Sequence, residues 1–218
     1  MATQQELEQL AAQLRQPTGA AGIDVANMMN ENNIGMTHHS INRLGLRGGH
    51  RVLELGHGNG GHIGYLLNQA DQLQYTGLEM SELMREEARK INQQWVENRQ
   101  AAFFLYDGNK TSFSDNNFDK VYTVNTIYFW KQPLELLSEV HRITANGGWF
   151  NITFAQKAFM QTLPFVQFGF ELYDTKKVEE LIAETAWKIA NTASETETIT
   201  TKTGELVDRE FTTVTLIK

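Results

Sequence analysis

Leu7, Leu10, Ala11 and Leu14 recur at the three- and four-residue spacing of a helix. Thr3 and Glu6 have capping-box spacing just before this set, and Pro17-Thr18-Gly19 interrupts it, which predicts a short amphipathic helix. A second apolar set, Val25, Met28 and Met29, runs into the polar Asn30-Glu31-Asn32-Asn33. Beyond that break Thr37 is placed to cap another helix, carrying Ile41 and Leu44 and stopped by Gly45. Residues 1–45 thus predict a helical cap in front of a domain over residues 46–218.

From Arg51 the period changes. Val52-Leu53-Glu54-Leu55 reads as a short buried strand, followed by a glycine-rich turn and a helix through Ile63, Leu66 and Leu67. Gln74 to Glu79 is the next strand, and Ser81 caps a long helix with Met84, Ala88, Ile91 and Trp95 on one stripe. Strands follow at 102–106 and 119–124. Pro133 opens a helix that Asn146-Gly147-Gly148 ends, and residues 149–154 form another strand. A helix over 175–186 precedes two β-rich stretches, 187–199 and 207–217, which the turn-like Thr203-Gly204 joins into a closing hairpin. The alternation predicts an α/β fold: a seven-stranded, mostly parallel sheet with an antiparallel C-terminal strand and helices on both faces. Ligands of such sheets bind beyond the carboxyl ends of the strands, at the switch point of strand order.

Composition narrows the chemistry. None of the 218 residues is cysteine, which excludes thiolate catalysis and cysteine-held metals. With 19 Lys and Arg against 26 Asp and Glu the net charge is -7, which argues against nucleic-acid partners. The N-terminus lacks signal-peptide character and no apolar run approaches a membrane span, so a cytoplasmic location without a membrane partner is expected. His57 and His62 straddle a helix start without a metal-ligand spacing, and no metal is expected.

Eight of the 17 glycines fall between residues 45 and 64. In Glu54-Leu55-Gly56-His57-Gly58-Asn59-Gly60-Gly61 the missing Cβ atoms let backbone amides approach a ligand at a helix N-terminus. Gly56, Gly58 and Gly61 also satisfy G-x-G-x-x-G, and Glu79 suits a ribose, so the motif alone allows an NAD(P)-dependent oxidoreductase or a non-catalytic cofactor-binding protein. Glu54, a carboxylate where a dinucleotide fold normally carries an apolar residue, favours a ligand with a positive centre.

The ordered set of Val52 to Gly60, Tyr75 to Met84, Tyr106-Asp107-Gly108, Phe113 to Tyr122 and Gly147-Gly148 resembles the class I S-adenosylmethionine-dependent methyltransferases. The likeness covers most of residues 15–185 and is greatest to small-molecule enzymes that methylate quinone precursors. It implies a Rossmann-like fold, S-adenosyl-L-methionine as cofactor and a small-molecule acceptor. By this resemblance Glu54, Gly56, His57, Gly58 and Gly60 frame the methionine part of the cofactor. Glu79 accepts from both ribose hydroxyls, Asp107 accepts from the adenine amine, Met80 and Gly108 flank the ring, and Asn125 lies near the methyl group. A general base is needed only for a protonated nucleophile, with His38, His39, His57 and Tyr128 as candidates. Tyr128-Phe129-Trp130, with Phe165, Phe168 and Phe170, would line a pocket for a planar, lipophilic or cationic acceptor.

Overall fold

The Thr3 side chain accepts from the Glu6 amide while the Glu6 carboxylate accepts from the Thr3 amide, and this reciprocal cap starts α1 (Gln4–Arg15) as the spacing predicts. The computed structural model describes residues 2–200 and 206–218. After Pro17 the chain enters one continuous helix of 24 residues, α2 (Gly19–Asn42). The expected interruption at Asn30–Asn33 does not occur, and Thr37 is a buried interior residue rather than a cap. Asparagine usually breaks helices by bonding its own backbone. In α2, Asn27 and Asn33 are instead bound by distant side chains, Asn59 for the first and Asn125 and Arg209 for the second.

The strands are β1 (Arg51–Leu55), β2 (Gln74–Glu79), β3 (Ala101–Leu105), β4 (Phe118–Val124), β5 (Thr144–Ala155), β6 (Lys188–Thr200) and β7 (Leu206–Ile217). They form one sheet in the order β3-β2-β1-β4-β5-β7-β6, with β3 to β5 parallel and β7 antiparallel to both neighbours. The expected single antiparallel strand is thus β7, with β6 returning beside it. Thr203-Gly204 lies outside the described residues.

The helices are α3 (Ile63–Leu67), α4 (Glu82–Ile91), α5 (Gln93–Glu97), α6 (Pro133–Ile143), α7 (Lys157–Met160) and α8 (Thr175–Ala183). Ser81 caps α4 as expected, but the long helix stops at Asn92, whose side chain donates to the carbonyls of Gly60 and Ala88. Ile91 is consequently off the buried stripe and exposed. Asn146-Gly147-Gly148 does not end α6. It lies inside β5, in a register shift where Phe118 pairs with Thr144 and Lys120 with Trp149.

Alternation along the strands divides two cores. Leu53, Val121, Phe150 and Ile152 pack with Leu136, Val140 and Ile143 of α6 and Val178 and Ile182 of α8. On the other face Val52, Tyr75 and Tyr122 pack with Ile41, Leu44, Ile63, Leu66 and Ala88. Among the described residues no helix is long and apolar enough to cross a membrane.

Candidate functional site

The chain reverses its direction of strand addition between β1 and β4, so the loops after these strands part and leave a crevice at their carboxyl ends. A cavity of about 360 Å³ opens there, between those loops, the ends of β2 and β3, and α1 and α2 above. Its wall includes Glu54, Gly56, His57, Gly58, Glu79, Met80, Asp107, Gly108 and Asn125, nine of the ten residues expected around a cofactor. Gly60 is not in that wall. It packs against α3 and α4, where a Cβ would meet Ile63 Cδ1 at 2.8 Å and Ala88 Cβ at 3.0 Å.

Glu79 clasps the glycine loop to the end of β2. Its Oε1 accepts from the amides of Met80 (2.7 Å) and Ser81 (3.1 Å), and Oε2 accepts from the Gly58 amide (3.1 Å). A carboxylate offers about four lone-pair sites, so this arrangement leaves about one for a ligand hydroxyl. Asp107 forms a turn in which Oδ1 accepts from the amides of Asn109 and Lys110, contacts that hold its carboxyl below the usual range and leave Oδ2 for an incoming donor. Met80 rests on Gly108, where a Cβ would lie 3.0 Å from its sulfur.

Glu54 is only 2 % exposed and already partnered. Its Oε2 accepts from Tyr75 (2.5 Å) and Tyr122 (2.7 Å) and meets His62 Nε2 at 2.8 Å. Burial opposes its ionisation, but His62 and the two tyrosine hydroxyls outweigh that and hold the carboxyl below its ordinary range. Besides lining the cavity, Glu54 thus anchors a buried polar cluster. His62, which sequence reasoning treated only as a poor metal ligand, lines the cavity beside it. Its spacing carried no signal, because its partners, Glu54 and Tyr122, lie on two different strands.

Three of the four candidate general bases lie elsewhere. His38 stacks on Tyr65 with ring centroids 3.8 Å apart, and His39 is held between Glu195 (3.0 Å) and Arg43 (2.7 Å). Tyr128 donates to Asn125 Oδ1 and the Ala155 carbonyl, both at 3.0 Å, and burial raises its pKa. None of the three belongs to the cavity wall. His57 does, but its Nδ1 donates to the Gly58 carbonyl and its ring packs edge-on against Phe103. Burial lowers its pKa against the pull of Glu79 and Glu54, and Nε2 has no partner. Of the expected aromatic residues, Phe129 and Trp130 line the cavity. Phe170 packs behind Phe129 at 4.6 Å and Phe165 behind Phe170 at 5.6 Å.

Asn125 follows β4 with φ of +57°, a left-handed conformation asparagine tolerates better than most residues. Its Oδ1 accepts from Tyr128 and the Ala155 amide, and its Nδ2 donates to Asn33 of α2. Among the described residues no group of three or more acidic or histidine side chains has metal-binding geometry.

Residues 53–152 match a family model described as a methyltransferase domain. The chain is 33% identical over 112 residues to a fatty-acid O-methyltransferase of Mycolicibacterium smegmatis, covering 51% of this chain and 39% of the relative. It is 28% identical over 127 residues to phthiotriol/phenolphthiotriol dimycocerosates methyltransferase 1 of Mycobacterium ulcerans, covering 58% and 45%. The chain thus spans less than half the length of these curated relatives. The crystal structure of an S-adenosylmethionine-dependent methyltransferase from Aquifex aeolicus superposes with a TM-score of 0.67 at 15% identity, covering 97% of this chain and 98% of that one. Residues 53–152 are thus similar to a methyltransferase domain, and the chain as a whole shares the fold of class I S-adenosylmethionine-dependent methyltransferases.

Proposed function

We propose that the cavity binds S-adenosyl-L-methionine and that the chain directs its methyl group to a small, lipophilic acceptor, with residues 1–45 as the cap and residues 46–218 as the cofactor-binding body. The observation that carries this reading is the order of groups along one wall. Amides of the glycine loop, the Glu79 carboxylate and the Asp107 carboxylate lie at successive strand ends, while Asn125, Phe129 and Trp130 form the opposite side. The donor and acceptor types fit: Glu79 retains a lone pair for a ribose hydroxyl, and Asp107 Oδ2 suits an exocyclic amine. A ring between Met80 and Gly108 requires the thioether to swing aside, which its unbranched side chain permits. Curated relatives named for lipid substrates support the lipophilic character of the acceptor.

The cofactor supplies an electrophilic methyl on a sulfonium with a good leaving group. The chain's contribution is alignment and exclusion of water, and orientation of this kind is worth on the order of 7–11 kcal/mol. Asn125, clamped by four hydrogen-bond and sulfur contacts, presents a fixed wall. Of the four candidate bases His57 alone lines the cavity, with Nε2 unpartnered, while His38, His39 and Tyr128 stand outside it; an acceptor that arrives as a carboxylate or an unprotonated amine brings its own lone pair and needs no base.

Calorimetric titration with S-adenosylhomocysteine and with NAD, followed by transfer from methyl-labelled donor to a panel of fatty acids, phenols and amines, tests the reading. Binding of S-adenosylhomocysteine and labelling of an apolar acceptor are expected. Affinity for NAD with none for S-adenosylhomocysteine would overturn it.

A further inference from the structure

Arg209 of β7 is 4% exposed and reaches across the molecule to α2. Its Nη1 donates to Asn33 Oδ1 at 2.9 Å and its Nη2 to the Asn32 carbonyl at 2.6 Å. Nε and Nη2 both donate to Glu197 Oε1 of β6, at 3.1 and 2.6 Å. The same Asn33 oxygen accepts from Asn125 Nδ2 at 3.1 Å. One carboxamide oxygen is therefore shared by a guanidinium from the C-terminal hairpin and by the residue that faces the cavity after β4.

A second observation comes from Gly35, in the middle of α2, where a Cβ would overlap the Glu197 carboxylate. Glycine costs a helix interior about 1 kcal/mol relative to alanine. At Gly35 it lets the Glu197–Arg209 pair lie directly against the helix backbone. The planar fork of arginine is what the arrangement needs, because three acceptors lie in three directions and an ammonium cannot match that geometry.

We propose that Arg209 is a positioning residue for the cavity: through Asn33 it fixes Asn125 and latches α2 over the cofactor site, although it touches no ligand itself. The inference rests on the reading of the cavity as a site for S-adenosylmethionine, because its effect is transmitted to residues that line that site, Asn30, Asn33, Thr37 and Asn125. Without the latch the half-buried Asn32 carbonyl and Glu197 carboxylate lose the guanidinium, Asn33 Oδ1 is left with Asn125 alone, and α2 loses this tie to the C-terminal hairpin at mid-length.

The experiment compares the unaltered chain with Arg209→Met, Arg209→Lys, Asn125→Ala and the double variant Arg209→Met/Asn125→Ala. Two readouts are used, S-adenosylhomocysteine affinity and hydrogen exchange of the free protein. In Arg209→Met, amides of residues 27–37 should exchange at least tenfold faster while β1, β4 and β5 keep their protection, and affinity should fall at least tenfold. Arg209→Lys should lie between, and serves alone if the methionine variant does not fold. The double variant should lose no more affinity than the weaker single one, since both act on one link. Unchanged exchange in residues 27–37, additive losses of affinity, or loss of protection spread over the whole sheet would each overturn the latch. If the unaltered chain does not bind S-adenosylhomocysteine, the proposed function falls first. Exchange confined to residues 27–37 would then still support the latch, and unchanged exchange would still remove it.

Discussion

Glu54 and His62 lie 2.8 Å apart with side chains 3% and 6% exposed, and two tyrosine hydroxyls donate to the same carboxylate oxygen. Removing one partner of a buried pair costs about 3–5 kcal/mol, because the other is left uncompensated. Glu54→Gln should therefore lower stability by about 3 kcal/mol in urea unfolding at pH 7. The sign with pH follows from the lowered carboxyl: its contribution is complete above the ordinary value of 4.5 and is lost as pH falls through the lower, folded value. The gap between the two proteins should shrink on acidification below about pH 4.5. A constant gap from pH 7 to pH 3 would refute the assignment.

Glu79 gathers three backbone amides as well as facing the cavity. Glu79→Gln keeps the shape but removes the charge and one acceptor oxygen. Losing charged hydrogen bonds of about 1.5–3 kcal/mol should weaken S-adenosylhomocysteine binding by about 10- to 100-fold in titration calorimetry. Equal affinity in a folded variant would remove Glu79 from the site.

Two glycines of the same loop should separate by assay. Gly58 has φ of +56° and open space where a Cβ would lie, whereas Gly60 has φ of +67° and touches Ile63 and Ala88. Both substitutions to alanine carry about 1–2 kcal/mol of left-handed strain. Gly60→Ala adds overpacking of about 1–3 kcal/mol and should show the larger fall in thermal midpoint. Gly58→Ala should lose more ligand affinity for its smaller loss of stability. The reverse order would contradict the placement of the loop.

Lys120 is buried at the opposite end of β4, with Nζ 3.8 Å over the Trp149 ring. Burial lowers its pKa from 10.5 to about 8. Between those values the unfolded chain holds the proton and the folded chain does not, so this group makes stability rise with pH over that window. Lys120→Met should abolish that rise. Comparing urea midpoints of both proteins at pH 7.5 and pH 9.5 checks it, and parallel changes would disprove the role of Lys120.

What could be read in advance depended on how near the deciding partners lie. The α1 cap was legible because Thr3 and Glu6 hold each other across three residues. The cavity wall was legible because it is built from strand ends, each with its own short motif. Asn30–Asn33 was misread as a break because the groups that keep Asn33 in a helix come from β4 and β7. Glu54 could be recognised as anomalous but not as partnered, since Tyr75 and Tyr122 stand 21 and 68 residues away. His38 and His39 suited a base by type alone, and helix rotation turned them onto Tyr65 and Glu195.

The reversal of strand order between β1 and β4 divides labour as well as space. Groups proposed to hold the cofactor stand at β1, β2 and β3, while Asn125, Phe129 and Trp130 follow β4, on the far side of the crevice. On the proposed function, the half of the crevice that would face the acceptor can be rebuilt by exchanging the segment after β4 and the facing residues of α2, leaving the glycine loop, Glu79 and Asp107 intact. Under that proposal a change of acceptor is a graft on one bank of the crevice rather than a redesign of the protein.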